Sequence, residues 1–389
     1  MNLPECDPAQ GEEAPGLYLH IPFCLSKCAY CAFNSVACAS PPAAYPAALA
    51  RQMEHWAAGD WCKERTFATL FLGGGTPTVY DGAILATLVS RAFACFRFHA
   101  NPEVTAESNP NSADRAVLSL LRRSGVNRLS IGVQSFSDPL LAALGRSHTA
   151  AQAREAVWAA RAAGFANINL DLIYGLPGQT LAAWQQTLAA ALELGSEHLA
   201  AYELSIEEGT PFARLAGTGG LSLPAEETVA AMAEETVRSL AAAGFARYEI
   251  SNYARPGYEC RHNLNYWRNG SYLGLGAGAV SCLSGLRLRN VDDPGQYVRL
   301  VEKGEQPFSE AECLDRAARF RETVIMGLRL CEGVRISALK RRFALTPTEY
   351  YGKILAELLS RGLVETGPDA LRLSGRGMEV ANQVLAQLV

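Results

Sequence analysis

Apolar positions along this chain fall into short runs separated by longer amphipathic stretches. Runs rich in Leu, Ile, Val and aromatic residues occur at 17–21, 66–72, 103–106, 128–133, 168–173 and 198–204, each about the length of a strand. Between them lie Ala-, Leu- and Arg-rich stretches with helical spacing, as at 151–163 and 181–194. Strands alternating with helices predict an α/β fold with a parallel sheet and crossover helices. Six such units predict an incomplete (β/α)6 barrel over 16–210. Its functional side chains belong on loops at the carboxyl ends of the strands.

Beyond residue 210 the pattern changes. Gly-rich 215–221 reads as a linker, 225–243 as a helix, and 248–281 as an irregular segment rich in aromatics and Asn, so 211–310 is expected to be a connecting region. Over 311–389 the stretches ALTPTEYYGKILAELLSRGLVE and LRLSGRGMEV predict a helix–turn–helix followed by a short β-wing. A small C-terminal α/β winged-helix-like domain follows from that order. Without a strongly basic face it suits packing or docking better than reading DNA. Residues 1–15 are acidic, broken by prolines and expected to be disordered.

Composition narrows the function classes. With 389 residues, 49 % hydrophobic and 19 % charged, the chain can bury a large core and a smaller second one. A net charge of −4 gives no reason to expect nucleic acid as a partner. No apolar run is long enough to span a bilayer, and the N-terminus lacks the basic start of a secretory signal. A cytoplasmic protein is the expectation.

In that compartment eleven cysteines suggest metal or redox chemistry before disulfides. Three of them, Cys24, Cys28 and Cys31, form C-x3-C-x2-C within LYLHIPFCLSKCAYCAF, directly after the first strand. Thiolates are the usual ligands of a 4Fe–4S cluster, so three cysteines leave one iron open to a cofactor. On spacing alone, structural zinc with Cys38 or His20 as fourth ligand remains an alternative. One unit later, Gly74, Gly75 and Thr76 stand in the run GGGTPT. Glycines let backbone approach a ligand closely, and their carbonyls can accept from an ammonium group. Alone, the run would be a strand-end turn.

Cys24, Cys28, Tyr30 and Cys31 resemble the radical S-adenosylmethionine (SAM) superfamily, whose motif is C-x3-C-x-aromatic-C. The resemblance implies that the methionine moiety of SAM chelates the open iron and that one cluster electron cleaves the sulfonium. GGGT is similar to that superfamily's element for the methionine amino group. Over nearly the whole chain, HIPFC, GGGTPT, GVQSF and DLIYGLPGQT resemble, in order, the oxygen-independent coproporphyrinogen dehydrogenase family. That resemblance places Tyr18 near the nucleoside and Glu107 on SAM. It sets Gln134, Arg146 and Asp171 around the same cleft, where the dehydrogenase holds a second SAM, with Ser205 a further match. Without it, Asp171 would be a turn residue and Glu107 a structural carboxylate. His20 is expected to orient the cluster loop through a ring hydrogen bond and His148 to line the cleft. His55, His99 and His198 read as structural.

Two features depart from the dehydrogenase. Phe33 stands where that family carries a fourth cysteine, and few residues precede the cysteine motif. Both features, with Cys31-Ala32-Phe33-Asn34-Ser35, resemble the sister HemW group of heme chaperones. Arg261-His262-Asn263-Leu264-Asn265-Tyr266-Trp267 is similar to that group's HNxxYW motif. It implies heme ligation by His262, stacking of Tyr266 and Trp267 on the porphyrin, and Cys260 as a lesser candidate ligand. A neutral imidazole is a common axial ligand of heme iron. The implied function is binding heme and delivering it to a heme-requiring acceptor, for example a membrane respiratory enzyme. A flavodoxin or ferredoxin would serve as electron donor. The competing readings are oxidative decarboxylation of coproporphyrinogen III and radical SAM methylation.

Overall fold

The structure is a computed structural model and describes residues 14–389. Of the N-terminal segment expected to be disordered, residues 1–13 lie outside the described residues. Six strands, β1 (Gly16–Ile21), β2 (Thr66–Gly74), β3 (Arg97–Ser108), β4 (Arg128–Gln134), β5 (Ile168–Tyr174) and β6 (His198–Glu203), lie side by side in chain order. All neighbours among them are parallel.

The two faces of these strands differ in chemistry. Leu17, Leu19, Ile21, Leu70, Leu72, Val104, Ala106, Leu129, Ile131, Leu170 and Leu172 form the core beneath the crossover helices. The alternate positions, among them Tyr18, His20, Thr69, Glu103, Glu107, Ser130 and Asp171, turn to the barrel interior, as a side-chain period of two requires. The crossover helices start where their sequences supply caps. Asp81, Asp114 and Thr180 accept from backbone amides, and Thr149 forms a capping box with Gln152. Each cap contributes about 1 kcal/mol.

The sheet does not stop at six strands. Tyr272–Leu275 pairs parallel with the free edge of β1, and Val280–Leu283, Leu286–Asn290 and Phe308–Cys313 continue antiparallel. Beyond β6, Asn252–Ala254 and Ala246–Arg247 add antiparallel, giving a 12-stranded sheet. The segment expected to be irregular therefore extends both sheet edges, and Pro211–Gly217 within the expected linker is helical. Its strands are only 2 to 6 residues long and punctuated by Gly and Asn, too short to show a period of two.

The C-terminal region has its own core, built on Phe320, Leu339, Phe343, Leu355, Leu358 and Leu371. Helices Ile336–Phe343, Pro347–Tyr351 and Lys353–Ser360 precede Val364–Thr366 and Ala370–Leu373, which pair as the expected wing.

Candidate cofactor site at the carboxyl end of the barrel

The chain leaves β1 at Ile21 and enters the cysteine loop. Backbone bonds join this loop to the glycine turn after β2: Gly75 N donates to Ile21 O at 2.9 Å and Thr76 N to Phe23 O at 2.8 Å. A Cβ on Gly75 would lie 2.7 Å from the Phe23 carbonyl oxygen and 3.0 Å from Cys24 Sγ, so the close approach requires glycine. Ala29 and Tyr30 rest on an apolar pad of Leu140, Leu144, Ile173, Leu176 and Phe212. His20 fastens the loop from below. Its Nε2 is 2.8 Å from the Asn34 carbonyl, which only accepts, so Nε2 carries the proton and Nδ1 accepts from the Tyr18 hydroxyl at 3.0 Å. Burial lowers the imidazole pKa and favours the neutral ring. The ring hydrogen bond expected of His20 is present.

Cys24, Cys28 and Cys31 are free thiols on this loop. Thr76 Oγ1 donates to Cys24 Sγ and Arg146 Nη1 to Cys28 Sγ, each at 3.5 Å. Arg146 Nη2 is held at 2.6 Å by both Asn109 Oδ1 and Gly132 O, and Asn109 Nδ2 donates to Thr76 Oγ1 at 2.9 Å. Gln134 ends β4 at a φ of 64° and sets its amide beside Gly132, 3.0 Å from where a Cβ would stand. A guanidinium and a hydroxyl aimed at sulfur suit an anionic iron–sulfur core, whose thiolates each bind a different iron. Among the described residues, no three His, Cys, Asp or Glu side chains gather as a single-ion site would need. His20, with both ring nitrogens hydrogen-bonded, is not placed to act as a fourth ligand.

Beside the thiols lie two carboxylates. Glu107 Oε2 accepts from Gly74 N at 3.0 Å. Gly74 has a φ of 115°, and a Cβ there would lie 2.6 Å from the His20 ring. Burial first, and then the charge of Asp171, push the Glu107 carboxyl up to about 8. Asp171 accepts from Ser130 Oγ at 3.1 Å and Asn169 Nδ2 at 2.8 Å; burial raises its pKa, and these bonds oppose the rise. Two carboxyls and the Arg146 guanidinium offer partners for a ligand carrying ammonium, sulfonium and carboxylate groups. Ser205 is exposed on the loop past the end of β6. Asn109, which links Thr76 to Arg146, was not singled out by sequence, because an Asn before Pro reads as turn chemistry.

The HNxxYW segment lies at the opposite end of the barrel. Helix Arg261–Trp267 packs across the starts of β1, β2 and β3, and Glu103 accepts from the amides of Arg261 and His262 at 3.0 Å. His262 is 1 % exposed, with Nδ1 hydrogen-bonded to Thr69 Oγ1 at 2.7 Å and Nε2 to Tyr266 Oη at 2.9 Å. It stacks on Phe71 at 5.0 Å, and burial, with a smaller contribution from Arg128, lowers its pKa to about 3. Both nitrogens that could reach iron are thus occupied by the fold. Tyr266 packs edge-on against His262 and Tyr272, and Trp267 lies under Arg329 of the C-terminal region. Cys260 is fully buried, with Sγ 3.6 Å from Glu103 Oε1. In this structure the segment forms a plug that joins the barrel to the C-terminal region. His198 is structural as expected, bonded to Asn169 and Tyr248, and His148 bonds the Val133 carbonyl.

A partial barrel with a three-cysteine loop after its first strand and a glycine turn after its second defines a radical SAM protein. Residues 18–191 match the Radical SAM superfamily and residues 314–380 the HemN C-terminal domain. The solved structure of coproporphyrinogen III oxidase (HemN) from Escherichia coli, a radical SAM enzyme, superposes with a TM-score of 0.82 at 26 % identity, covering 97 % of this chain and 90 % of that one. Curated relatives narrow the class further. The heme chaperone HemW of Mycobacterium tuberculosis H37Rv is 36 % identical, with 100 % of this chain and 98 % of the relative covered. That of Escherichia coli K12 is 38 % identical, covering 82 % and 87 %. The chain belongs to the HemW family of heme chaperones. With radical SAM membership come a 4Fe–4S cluster and S-adenosylmethionine as its cofactors.

Proposed function

We propose that this protein binds heme and delivers it to heme-requiring acceptors, with cluster and SAM supporting or regulating transfer. The observation that carries this reading is the full-length likeness to HemW, combined with a complete cofactor end that departs from the dehydrogenase at position 33. Phe33 there is 71 % exposed on the cysteine loop. Cys24, Cys28 and Cys31 hold the cluster, which when bound supplies an electron and an open iron for SAM. Thr76 and Arg146 donate to the sulfurs and stabilise them as thiolates. Tyr18, Tyr30, Gly74, Gly75, Glu107, Gln134 and Asp171 form the walls of the SAM site, and Glu107 and Asp171 orient its cationic groups.

The protein works in the cytoplasm, and no described helix is long and apolar enough to cross a membrane. A membrane respiratory enzyme is the acceptor we favour, and a flavodoxin or ferredoxin the electron donor. Leu25 and Phe33, both exposed apolar residues of the cysteine loop, offer such a donor a contact beside the cluster.

The test is anaerobic incubation of reconstituted protein with SAM, a reductant and coproporphyrinogen III, beside a hemin titration. Saturable hemin binding with no loss of carboxyl mass from the porphyrinogen is the expected result. Decarboxylated product would overturn the chaperone reading in favour of the dehydrogenase.

A further inference from the structure

A run of polar side chains crosses the barrel interior, leading away from the cofactor end. It begins at Asp171, in the wall of the SAM site. Asn169 Nδ2 donates to Asp171 Oδ1 at 2.8 Å and to Ser130 Oγ at 2.7 Å, so its Oδ1 turns the other way, to His198 Nδ1 at 2.6 Å. A carbonyl oxygen only accepts, so His198 carries its proton on Nδ1. Burial, and then the charge of Arg128, keep that ring neutral. Nε2 is left to accept from Tyr248 Oη at 2.8 Å. The phenol oxygen in turn accepts from the backbone amide of Cys260 at 3.3 Å.

Cys260 is the residue before helix Arg261–Trp267, and its own side chain does not cap that helix. The first amides of a helix have no partners within it. Here the barrel supplies them: Tyr248 takes the Cys260 amide, and Glu103 takes those of Arg261 and His262.

Every donor between the helix and the SAM site therefore points the same way, from Cys260 through Tyr248, His198 and Asn169 to the Asp171 carboxylate. Bonds aligned head to tail polarise one another, and an ionised acceptor strengthens the chain that ends on it. Arg128 adds a second link. It is 2 % exposed, and both Asp171 and Glu103 act on its charge. One buried cation thus serves the carboxylate at the SAM site and the carboxylate that caps the helix. A network that served packing alone could close on itself. This one opens on a cofactor wall at one end and on the HNxxYW helix at the other.

We infer that SAM binding is transmitted through this chain to the HNxxYW helix, with Asn169, His198 and Tyr248 as positioning residues. A cationic ligand beside Asp171 fixes the carboxylate as the acceptor on which the chain ends, and each bond back to Cys260 tightens with it. The helix is then held more firmly across the starts of β1, β2 and β3. The inference rests on the SAM part of the proposed function, regulation by the cofactor, and gives it a route.

Hydrogen exchange of the anaerobically reconstituted protein, with and without SAM, tests the route when read by mass spectrometry over the glycine turn and over Arg261–Trp267. In wild type SAM should slow exchange at both places, by at least about fivefold in the helix, the lower end of usual couplings between sites. Tyr248→Phe keeps the ring and removes the hydroxyl. Its glycine turn should respond to SAM as in wild type, and its helix should not. His198→Leu, which cuts the chain nearer Asp171, should behave alike and serves if Tyr248→Phe does not fold. Three results would each overturn the inference: a wild-type helix indifferent to SAM, a helix that still responds in the variants, or a glycine turn that loses its response together with the helix. No heme enters the measurement, so any of these leaves the chaperone reading to the hemin titration.

Discussion

The two ends of the barrel carry the chain's two motifs, and they use them differently. At the carboxyl end the conspicuous residues converge: Thr76 and Arg146 donate to the sulfurs of Cys24 and Cys28, and Glu107 accepts from the glycine turn. At the amino end His262, Tyr266 and Trp267 are absorbed into packing. There the motif's side chains are held by hydrogen bonds and ring contacts inside the fold rather than presented on a loop. A motif marks where a protein is constrained, and the constraint can be architecture that shapes a site as readily as the site itself.

The largest expected contrast comes from removing the centre of each motif. Alanine at Cys24, Cys28 or Cys31 should abolish the iron–sulfur absorbance after anaerobic reconstitution, and a full cluster in any of these variants would break the assignment. His262→Ala should leave the cluster absorbance in place. It should nevertheless lower unfolding stability by about 2–4 kcal/mol, from a lost buried ring and two orphaned hydroxyl partners. Thermal denaturation measures this, and a stability equal to wild type would mean that the plug is not structural.

The carboxyl end also has a pH signature. In the empty protein Glu107, raised to about 8, is mostly protonated at neutral pH, whereas a cationic ligand favours the ionised form. Binding of SAM should therefore release a proton and tighten as pH rises towards 8, and Glu107→Gln should bind more weakly and lose that dependence. Titration calorimetry in buffers of different ionisation enthalpy measures the release. Stability runs the opposite way. A raised carboxyl binds its proton more tightly when folded, so its contribution is full below the unfolded value of 4.5 and is lost as pH rises through about 8. The smallest effect belongs to the exposed Phe33. Phe33→Cys should shift stability by less than about 0.5 kcal/mol and confer no decarboxylation, as mass spectrometry of the porphyrin would show.

The sequence was most legible where local pattern and tertiary role coincide. β1 to β6 were placed to within a residue or two, β3 excepted, because alternating apolar positions sit beneath capped helices. β3 was read as 103–106 but runs Arg97–Ser108, since Asn101-Pro102 and the polar residues before it conceal a strand that continues through a bulge. The outer strands, such as Tyr272–Leu275, were missed because each is too short to establish a period. The cysteine loop, glycine turn and His20 bond were readable as spacing chemistry. Asn109 and Asn34 were not, since a lone amide signals nothing until two distant loops meet on it. The burial of His262 was not legible either, since it is a property of the packed barrel.

The central claim is that the proposed heme binding does not depend on the cluster that the cysteine loop holds. It is tested most directly by titrating hemin into a cluster-free protein carrying Cys24→Ala, Cys28→Ala and Cys31→Ala. Folding is confirmed by its circular dichroism. The account predicts a Soret band and an affinity unchanged from those of the cluster-loaded wild type. Loss of hemin binding in that folded, cluster-free protein would contradict it.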